Sequence, residues 1–433
     1  MTKYLDLLVS LNPWWREESF ETGIIRKKYF EKIRKYLDTG EILVLNGVRR
    51  SGKTTMMFQI IEELITNRSV NPKKILFINC DEPALSNIKN PLETLIDTFR
   101  KEVYSGSDVW VILDEIQNIE GWERLVKSWY DKKQFRIIIS GSSSYLLDSK
   151  LSVLISGRYL PVSVFPLDFP EYLHFKGFIP PEDAVGLSAA KYEIMTLLQD
   201  YLKSGGFPQV ALQDDDDLKK DYLKVYYDSV VYRDIVRIHH VRNQKALSSL
   251  LAYFFSNFTS LYSYKNLSDI FGLDYATIRE YIHFAEMAKI LFEIKYFSYS
   301  LKTQERNQKK IYCIDNGLRN SVSFVFSKDE GKLAENLVYI ELIRRGFSPY
   351  YWKKSGNEKE VDFVIKNRDE SLTAINVTYS DNINKREKKG LLEFSNEFSQ
   401  AKDLILLTRD TTGDNENTGI KMIPMWKWLL ETQ

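Results

Sequence analysis

Five short apolar runs recur through the first 165 positions, at residues 41–46, 74–80, 109–113, 135–140 and 159–165, with helix-spaced or polar sequence between them. The runs are continuous rather than alternating: Ile42-Leu43-Val44-Leu45, Ile75-Leu76-Phe77-Ile78 and Val109-Trp110-Val111-Ile112-Leu113 leave no polar face. A strand apolar on both sides belongs to a parallel sheet covered by helices on both faces, so the pattern predicts an α/β domain. Pro166-Leu167-Asp168-Phe169-Pro170 breaks it and sets a first domain at 1–165. A helix over Arg26–Ile33 precedes the first strand.

Helical spacing then runs from 171 to about 235, interrupted at Gly205-Gly206-Phe207-Pro208, and predicts a helical lid over 166–240. Asp214-Asp215-Asp216-Asp217 reads as a solvated loop before a helix N-terminus, where negative charge is favoured. Residues 266–282 read as helix, glycine turn, helix. Leu267, Ile270, Phe271 and Leu273 share one apolar face, continued by Ile278, Ile282 and Ala285. Strands follow at 291–299 and 309–314, giving a winged-helix expectation for 241–325. From Gly331 the order is helix, three strands, helix, strand, in a last domain at 326–433.

The chemistry concentrates after the first strand. Gly47-Val48-Arg49-Arg50-Ser51-Gly52-Lys53-Thr54 fits the phosphate-binding pattern G-x-x-x-x-G-K-[ST], and the apolar helix it requires begins at once, Thr55 included. A strand feeding a glycine turn into a helix N-terminus aims several backbone N–H groups, and the positive end of the helix dipole, at one point. Lys53 is placed to reach the β- and γ-phosphates of a nucleoside triphosphate, and Thr54 to contact Mg²⁺.

The strand 109–113 ends in Asp114-Glu115, which assigns Asp114 to the metal and Glu115 to the general base. The strand 135–140 is expected between the strand that leads into the phosphate loop and the strand that ends at Asp114, and Ser140 and Ser142 at its tip are alternative sensors of the γ-phosphate. Arg158 just before the last strand could serve a neighbouring subunit. Arg49 and Arg50 lie in the loop itself, and Arg233 of the lid is a further candidate for nucleotide contact.

Composition narrows the rest. At 433 residues the chain exceeds what one core of roughly 250 to 300 residues holds. Its net charge of +1 gives no global attraction to nucleic acid or anionic membrane. Two cysteines, Cys80 and Cys313, and four histidines leave no basis for a disulfide framework or a cysteine zinc site. No apolar run approaches the roughly 18 residues of a membrane helix, the opening Met1–Val9 is too short and acidic for a secretory signal, and the cytoplasm is the expected location.

Gly47–Thr54, Asp114-Glu115-Ile116-Gln117, Gly121-Trp122-Glu123, Ser140-Gly141-Ser142-Ser143, Gly157-Arg158 and Pro166-Leu167-Asp168-Phe169 together resemble the archaeal and bacterial AAA-type ATPases. The resemblance is to the branch with a C-terminal winged helix and a restriction-endonuclease-like domain. Asn12-Pro13-Trp14-Trp15 and Gly205-Gly206-Phe207-Pro208 also resemble segments of that family. It implies ATP as nucleotide and Mg²⁺ as cofactor, on a P-loop NTPase parallel sheet.

In the last domain, Glu335 on a helix, Asp362 on a strand and the strand Thr373–Tyr379 are similar in order to the PD-(D/E)xK nuclease core. Asn376 and Thr378 stand where that pattern has Glu and Lys, which removes a metal-directed charge and the cation that steadies the transition state. The expected function is therefore a Mg²⁺-dependent ATPase that acts as a switch or remodeller coupled to its C-terminal modules, with an inactive nuclease-like domain. An ATP-gated DNA nuclease and an ATP-locked, non-hydrolysing adaptor are the competing classes. Tyr275, Thr277, Arg279 and Glu280 on the second helix, with a basic hairpin at 302–310, suit double-stranded DNA. The alternative partners are another protein or a second copy of the chain.

Overall fold

A computed structural model describes residues 3–141, 157–323, 329–354, 359–380, 383, 385–415 and 418–431. These fall into two compact units, Met1–Val164 and Phe165–Gln433.

In the first unit β1 (Ile42–Asn46), β2 (Ile75–Asn79), β3 (Val109–Asp114), β4 (Phe135–Gly141) and β5 (Tyr159–Ser163) form one sheet in the order β2-β3-β4-β1-β5. Every pairing is parallel. All residues of β1 and β3 are buried, as their unbroken apolar sequences require of strands covered on both faces. Among the covering helices are α1 (Lys3–Leu11), α2 (Lys27–Leu37), α3 (Lys53–Thr66), α4 (Pro91–Glu102) and α5 (Trp122–Asp131). In α2, Phe30, Ile33 and Leu37 recur at helical spacing and are the buried residues. The α/β parallel sheet is the one the apolar runs called for, and β4 does lie between β1 and β3.

Helix α1 was not distinguished by its sequence pattern, and the segment after it has a definite task. Strand β2 is an edge strand, with outward backbone groups in want of partners. The Asn12 side chain accepts from the Phe77 N–H (2.7 Å) and donates to the Phe77 and Leu8 carbonyls (3.0 and 2.8 Å). The indole N–H groups of Trp14 and Trp15 both donate to the Ile75 carbonyl, at 3.1 and 2.8 Å. Asn12 is fully buried. Asn12→Ala should therefore leave strand groups unsatisfied and lower stability by about 1–3 kcal/mol, read as an earlier denaturant midpoint. An unchanged midpoint would mean that this cover is dispensable.

The second unit begins with helices Phe169–Phe175, Ala184–Ser204 and Asp216–Ser229. Asp168 and Glu171 form a reciprocal capping box on the first, and Asp215 caps the third. The helices Gln244–Ser256, Tyr264–Phe271 and Tyr275–Met287 accompany a small antiparallel sheet ordered β6-β8-β7, of β6 (Leu261–Tyr262), β7 (Leu291–Ile294) and β8 (Lys309–Cys313). The sequence pattern overstated β7, which ends at Ile294 rather than 299. Nor is 302–310 a basic hairpin: Leu301–Arg306 is a helix capped by Ser300, and Lys309 and Lys310 are buried in β8.

Helix Glu330–Arg344 then precedes β9 (Tyr350–Lys353), β10 (Glu360–Lys366), β11 (Leu372–Thr378), β12 (Ala401–Thr408), β13 (Gly413–Asn415) and β14 (Ile420–Pro424). These form a mixed sheet ordered β13-β14-β12-β11-β10-β9. Helix Lys385–Glu397 lies between β11 and β12 in sequence, and Met425–Leu430 follows β14. The strands β13 and β14 and that final helix exceed what the sequence pattern resolved. No described helix is long and apolar enough to cross a membrane.

Candidate phosphate-binding site

Parallel strands end at one edge of a sheet, so residues just past them are brought together whatever their separation in sequence. Leu113 is level with Ile139, and Ser140 with Leu45, so Asp114, Ser140 and the exit of β1 reach the same edge. The turn Gly47–Gly52 leaves β1 there and opens α3 at Lys53.

The backbone of this turn is built for close approach. Gly52, before the helix, has φ 97°, and Arg50 has φ 67°. Left-handed residues set among ordinary ones turn successive N–H groups inward, making a concave nest for an anion. A Cβ on Gly47 would lie 2.1 Å from the Val164 carbonyl oxygen, so only glycine fits. The Ser51 hydroxyl is buried without a hydrogen-bond partner among the described residues. Arg26, itself buried, donates to the Ser51 carbonyl at 3.0 Å and braces the turn from outside. Val48 is buried, Arg49 is partly buried, and Arg50, Thr54 and Thr55 are exposed.

Lys53 is 4% exposed, and its ammonium donates to the carbonyls of Gly47 (3.1 Å) and Val48 (3.2 Å). It lies 3.7 Å from Glu115 Oε1. Thr54 Oγ1 donates to Asp114 Oδ2 at 2.7 Å. Ser140 Oγ, fully buried, donates to Asp114 Oδ1 and accepts from the Glu115 backbone N–H at 3.1 Å. Burial pushes the Asp114 carboxyl up and the Glu115 charge adds to this, while Ser140, Thr54 and Lys53 oppose it. Glu115 sits in the left-handed region at φ 51°, uncommon without glycine, and its carboxylate accepts from Gln117 Nε2 at 2.5 Å. Arg49 Nη2 stands 3.9 Å from the same carboxylate.

A hydroxyl and a carboxylate converging on one point at a phosphate loop form a hard oxygen donor set. It fits Mg²⁺, which takes one or two protein oxygens and completes its shell with phosphate and water. Thr54 and Asp114 are the residues that would hold it.

The structure thus brings together Gly47 to Thr55, Asp114, Glu115 and Ser140, and within the same unit leaves Arg158 elsewhere. Arg158 precedes β5, at the opposite edge of the sheet from the phosphate loop, since β5 runs parallel to β1. Its guanidinium pairs with Asp131 at 2.8 Å and lies over the Tyr130 ring. Arg233 is exposed on the π-helical stretch Val230–Val236 of the second unit. Ser142 lies outside the described residues. Arg26 and Gln117 were not foreseen as site residues. Gln117 stands two positions past Glu115, a spacing that could have suggested it, whereas nothing local marks Arg26.

In the second unit, Glu335 and Asp362 approach each other around the ammonium of Lys310. Asn376 directs its oxygen to the Asp362 N–H (2.9 Å) and its amide to the carbonyls of Glu360 and Glu387 (3.1 and 2.9 Å). Thr378 closes β11, partly buried.

Comparison with known proteins matches an AAA domain model at residues 39–173. Two domains of unknown function, DUF8612 and DUF4143, match residues 195–329 and 330–428. The chain is 33% identical over 409 residues to the uncharacterized protein MJ1544 of Methanocaldococcus jannaschii, covering 90% of this chain and 88% of that one. It is 28% identical over 413 residues to an uncharacterized protein of Haemophilus influenzae, covering 94% and 99%. Among solved structures, the Walker-type ATPase PABY2304 of Pyrococcus abyssi aligns with a TM-score of 0.43 and 14% identity, over 69% of this chain and 95% of that one.

Proposed function

This chain belongs to the family of the Methanocaldococcus jannaschii protein MJ1544 and carries an AAA domain, and on that premise we propose that it binds ATP with Mg²⁺ and hydrolyses it. The observation that carries the proposal is the meeting of two pairs at one sheet edge: Thr54 with Asp114, and Lys53 with Glu115.

Each residue then has a task that follows from its place. The N–H groups of the nest and the start of α3 hold the phosphate tail, aided by the helix dipole. Lys53 exchanges its carbonyl partners for β- and γ-phosphate oxygens. Ser140 fixes one oxygen of the Asp114 carboxylate, and Thr54 and Asp114 are the residues that would hold the metal. Mg²⁺ held there would supply positive charge against the phosphates. Glu115 accepts the proton of the attacking water, and Gln117 and Ser140 fix the carboxylate and the backbone behind it.

Hydrolysis is coupled, in this reading, to the modules of the second unit, so that the ATP and ADP states differ in partner affinity. The three helices and small sheet of residues 244–313 suit a winged helix, and the mixed sheet of 350–424 suits a nuclease-like fold without nuclease activity. Tyr275, Arg279 and Glu280 are exposed on their helix. With Lys309 and Lys310 turned inward, the wing has lost two of its expected phosphate contacts, which favours a protein partner over DNA.

Phosphate release by the full chain, with and without Mg²⁺ and with and without single- and double-stranded DNA, tests the proposal. Release that requires Mg²⁺ is expected, with DNA leaving the rate within about twofold. Failure to retain or cleave ATP would sink the ATPase reading, and strong stimulation by DNA would overturn the preference for a protein partner.

A further inference from the structure

Strand β8 places a lysine where a charge is costly. Lys310 has a side chain 4% exposed, and burying an ammonium costs several kcal/mol unless other groups compensate. Compensation comes from three carboxylates of the segment that follows. Glu360 Oε1 lies 2.6 Å from Nζ, Glu335 Oε1 3.1 Å and Asp362 Oδ1 3.6 Å. Tyr312, also on β8, donates its hydroxyl to Glu335 Oε1 at 2.7 Å. Lys353 reaches the outer oxygen of Glu360 at 3.5 Å.

We infer that Lys310 is the resident cation of this carboxylate cluster, occupying the position a divalent metal would take and thereby fastening β8 to the C-terminal sheet. A hard divalent ion would sit about 2.0–2.6 Å from the same oxygens, within a few ångströms of the ammonium. Two cations that close, in a buried setting, repel strongly, so metal and lysine exclude each other. Asn376 has no charge to shift the balance, and its oxygen already accepts from the Asp362 N–H. Burial alone would lower the Lys310 ammonium's proton affinity, but the charges of Glu335, Asp362 and Glu360 outweigh it and hold the group protonated.

The fastening is reinforced nearby. The Asn336 side chain exchanges hydrogen bonds with the Cys313 backbone in both directions, each 2.9 Å, and the Tyr351 hydroxyl donates to the Gln308 carbonyl at 2.7 Å. Phe297 N–H donates to the Tyr351 carbonyl at 2.6 Å. The small sheet and the mixed sheet are thus tied together at several points, with Lys310 the charged one.

The test counts Mn²⁺ bound per full-length chain, by electron paramagnetic resonance of the unbound ion. Wild type and Asp362→Asn should bind the same number, because the cluster takes none in either. Lys310→Met, of similar length and uncharged, should gain one Mn²⁺, and Lys310→Met with Asp362→Asn should lose it again. A wild-type Mn²⁺ that disappears in Asp362→Asn would overturn the inference. So would Mn²⁺-dependent DNA cleavage abolished by that substitution, or a folded Lys310→Met that gains no ion. Should Lys310→Met fail to fold, the wild type and Asp362→Asn still decide, since they keep the lysine. Any ion held by Thr54 and Asp114 is common to all four proteins and cancels in the comparison, so the outcome is independent of the ATPase proposal.

Discussion

Lys53→Ala lowers kcat/KM for ATP by about 10³-fold or more, through two separable losses. The first is in binding. A hydrogen bond to a charged partner is worth about 1.5–3 kcal/mol, or roughly 10- to 150-fold in affinity. The second is in the transition state, where a cation fixed against the developing charge typically contributes about 10²–10³ in rate. The geometry favours large values for both. Lys53 is the first residue of α3, its ammonium is already held beneath the loop by two carbonyls, and almost none of it is exposed. Little side-chain freedom remains to be lost when phosphate arrives. Affinity for a fluorescent ATP analogue, and phosphate release at saturating ATP, separate the two losses, with circular dichroism to verify folding. If the variant binds and turns over within about threefold of wild type, the nest alone holds the phosphates and the lysine is structural.

What could be read from the chain depended on how local the causes were. The phosphate loop is legible because eight adjacent residues carry it and the flanking strand and helix are apolar enough to identify. Asp114 and Glu115 are legible because they end an unbroken apolar strand. Their approach to Ser140 is a matter of register, fixed once β4 lies between β1 and β3. Arg26 was hidden because the group it braces in the loop is a backbone carbonyl 25 residues away, which carries no side-chain signature. Asn12, Trp14 and Trp15 were recognisable as a segment but not as the cover of an edge strand, since their partners on β2 are backbone groups. Lys310 was misread outright. Among Lys302, Arg306 and Lys309 it looks like one more base of an exposed, phosphate-contacting hairpin. The carboxylates that draw it inward come from a helix and strand later in the chain, Glu335 being 25 positions on. A charge pattern reports on local solvation, and a buried ion pair formed across modules escapes it.

Glu115→Gln separates binding from chemistry more cleanly than any other change at the site. Glutamine has the shape of glutamate and can still accept the Gln117 amide hydrogen on its oxygen, so the unusual backbone at φ 51° has no new reason to move. The Ser140 contact is to the Glu115 backbone N–H and survives any side-chain change. What disappears is a group able to take a proton from water. General-base catalysis is worth about 10²–10⁴-fold, and kcat should fall by that factor. ATP affinity should stay level or rise, because one negative charge near the triphosphate has been removed while Lys53, Thr54 and Asp114 are intact. The expected result is a chain that holds ATP and scarcely cleaves it, which would also trap whatever partner the ATP state prefers. Phosphate release at saturating ATP and equilibrium binding of ATP are the two measurements. Equal and measurable turnover in wild type and variant would place the proton acceptor elsewhere. If neither protein releases phosphate while both bind ATP tightly, the chain is an ATP-locked adaptor, and the carboxylate after Asp114 serves only to pair with Lys53 and Arg49.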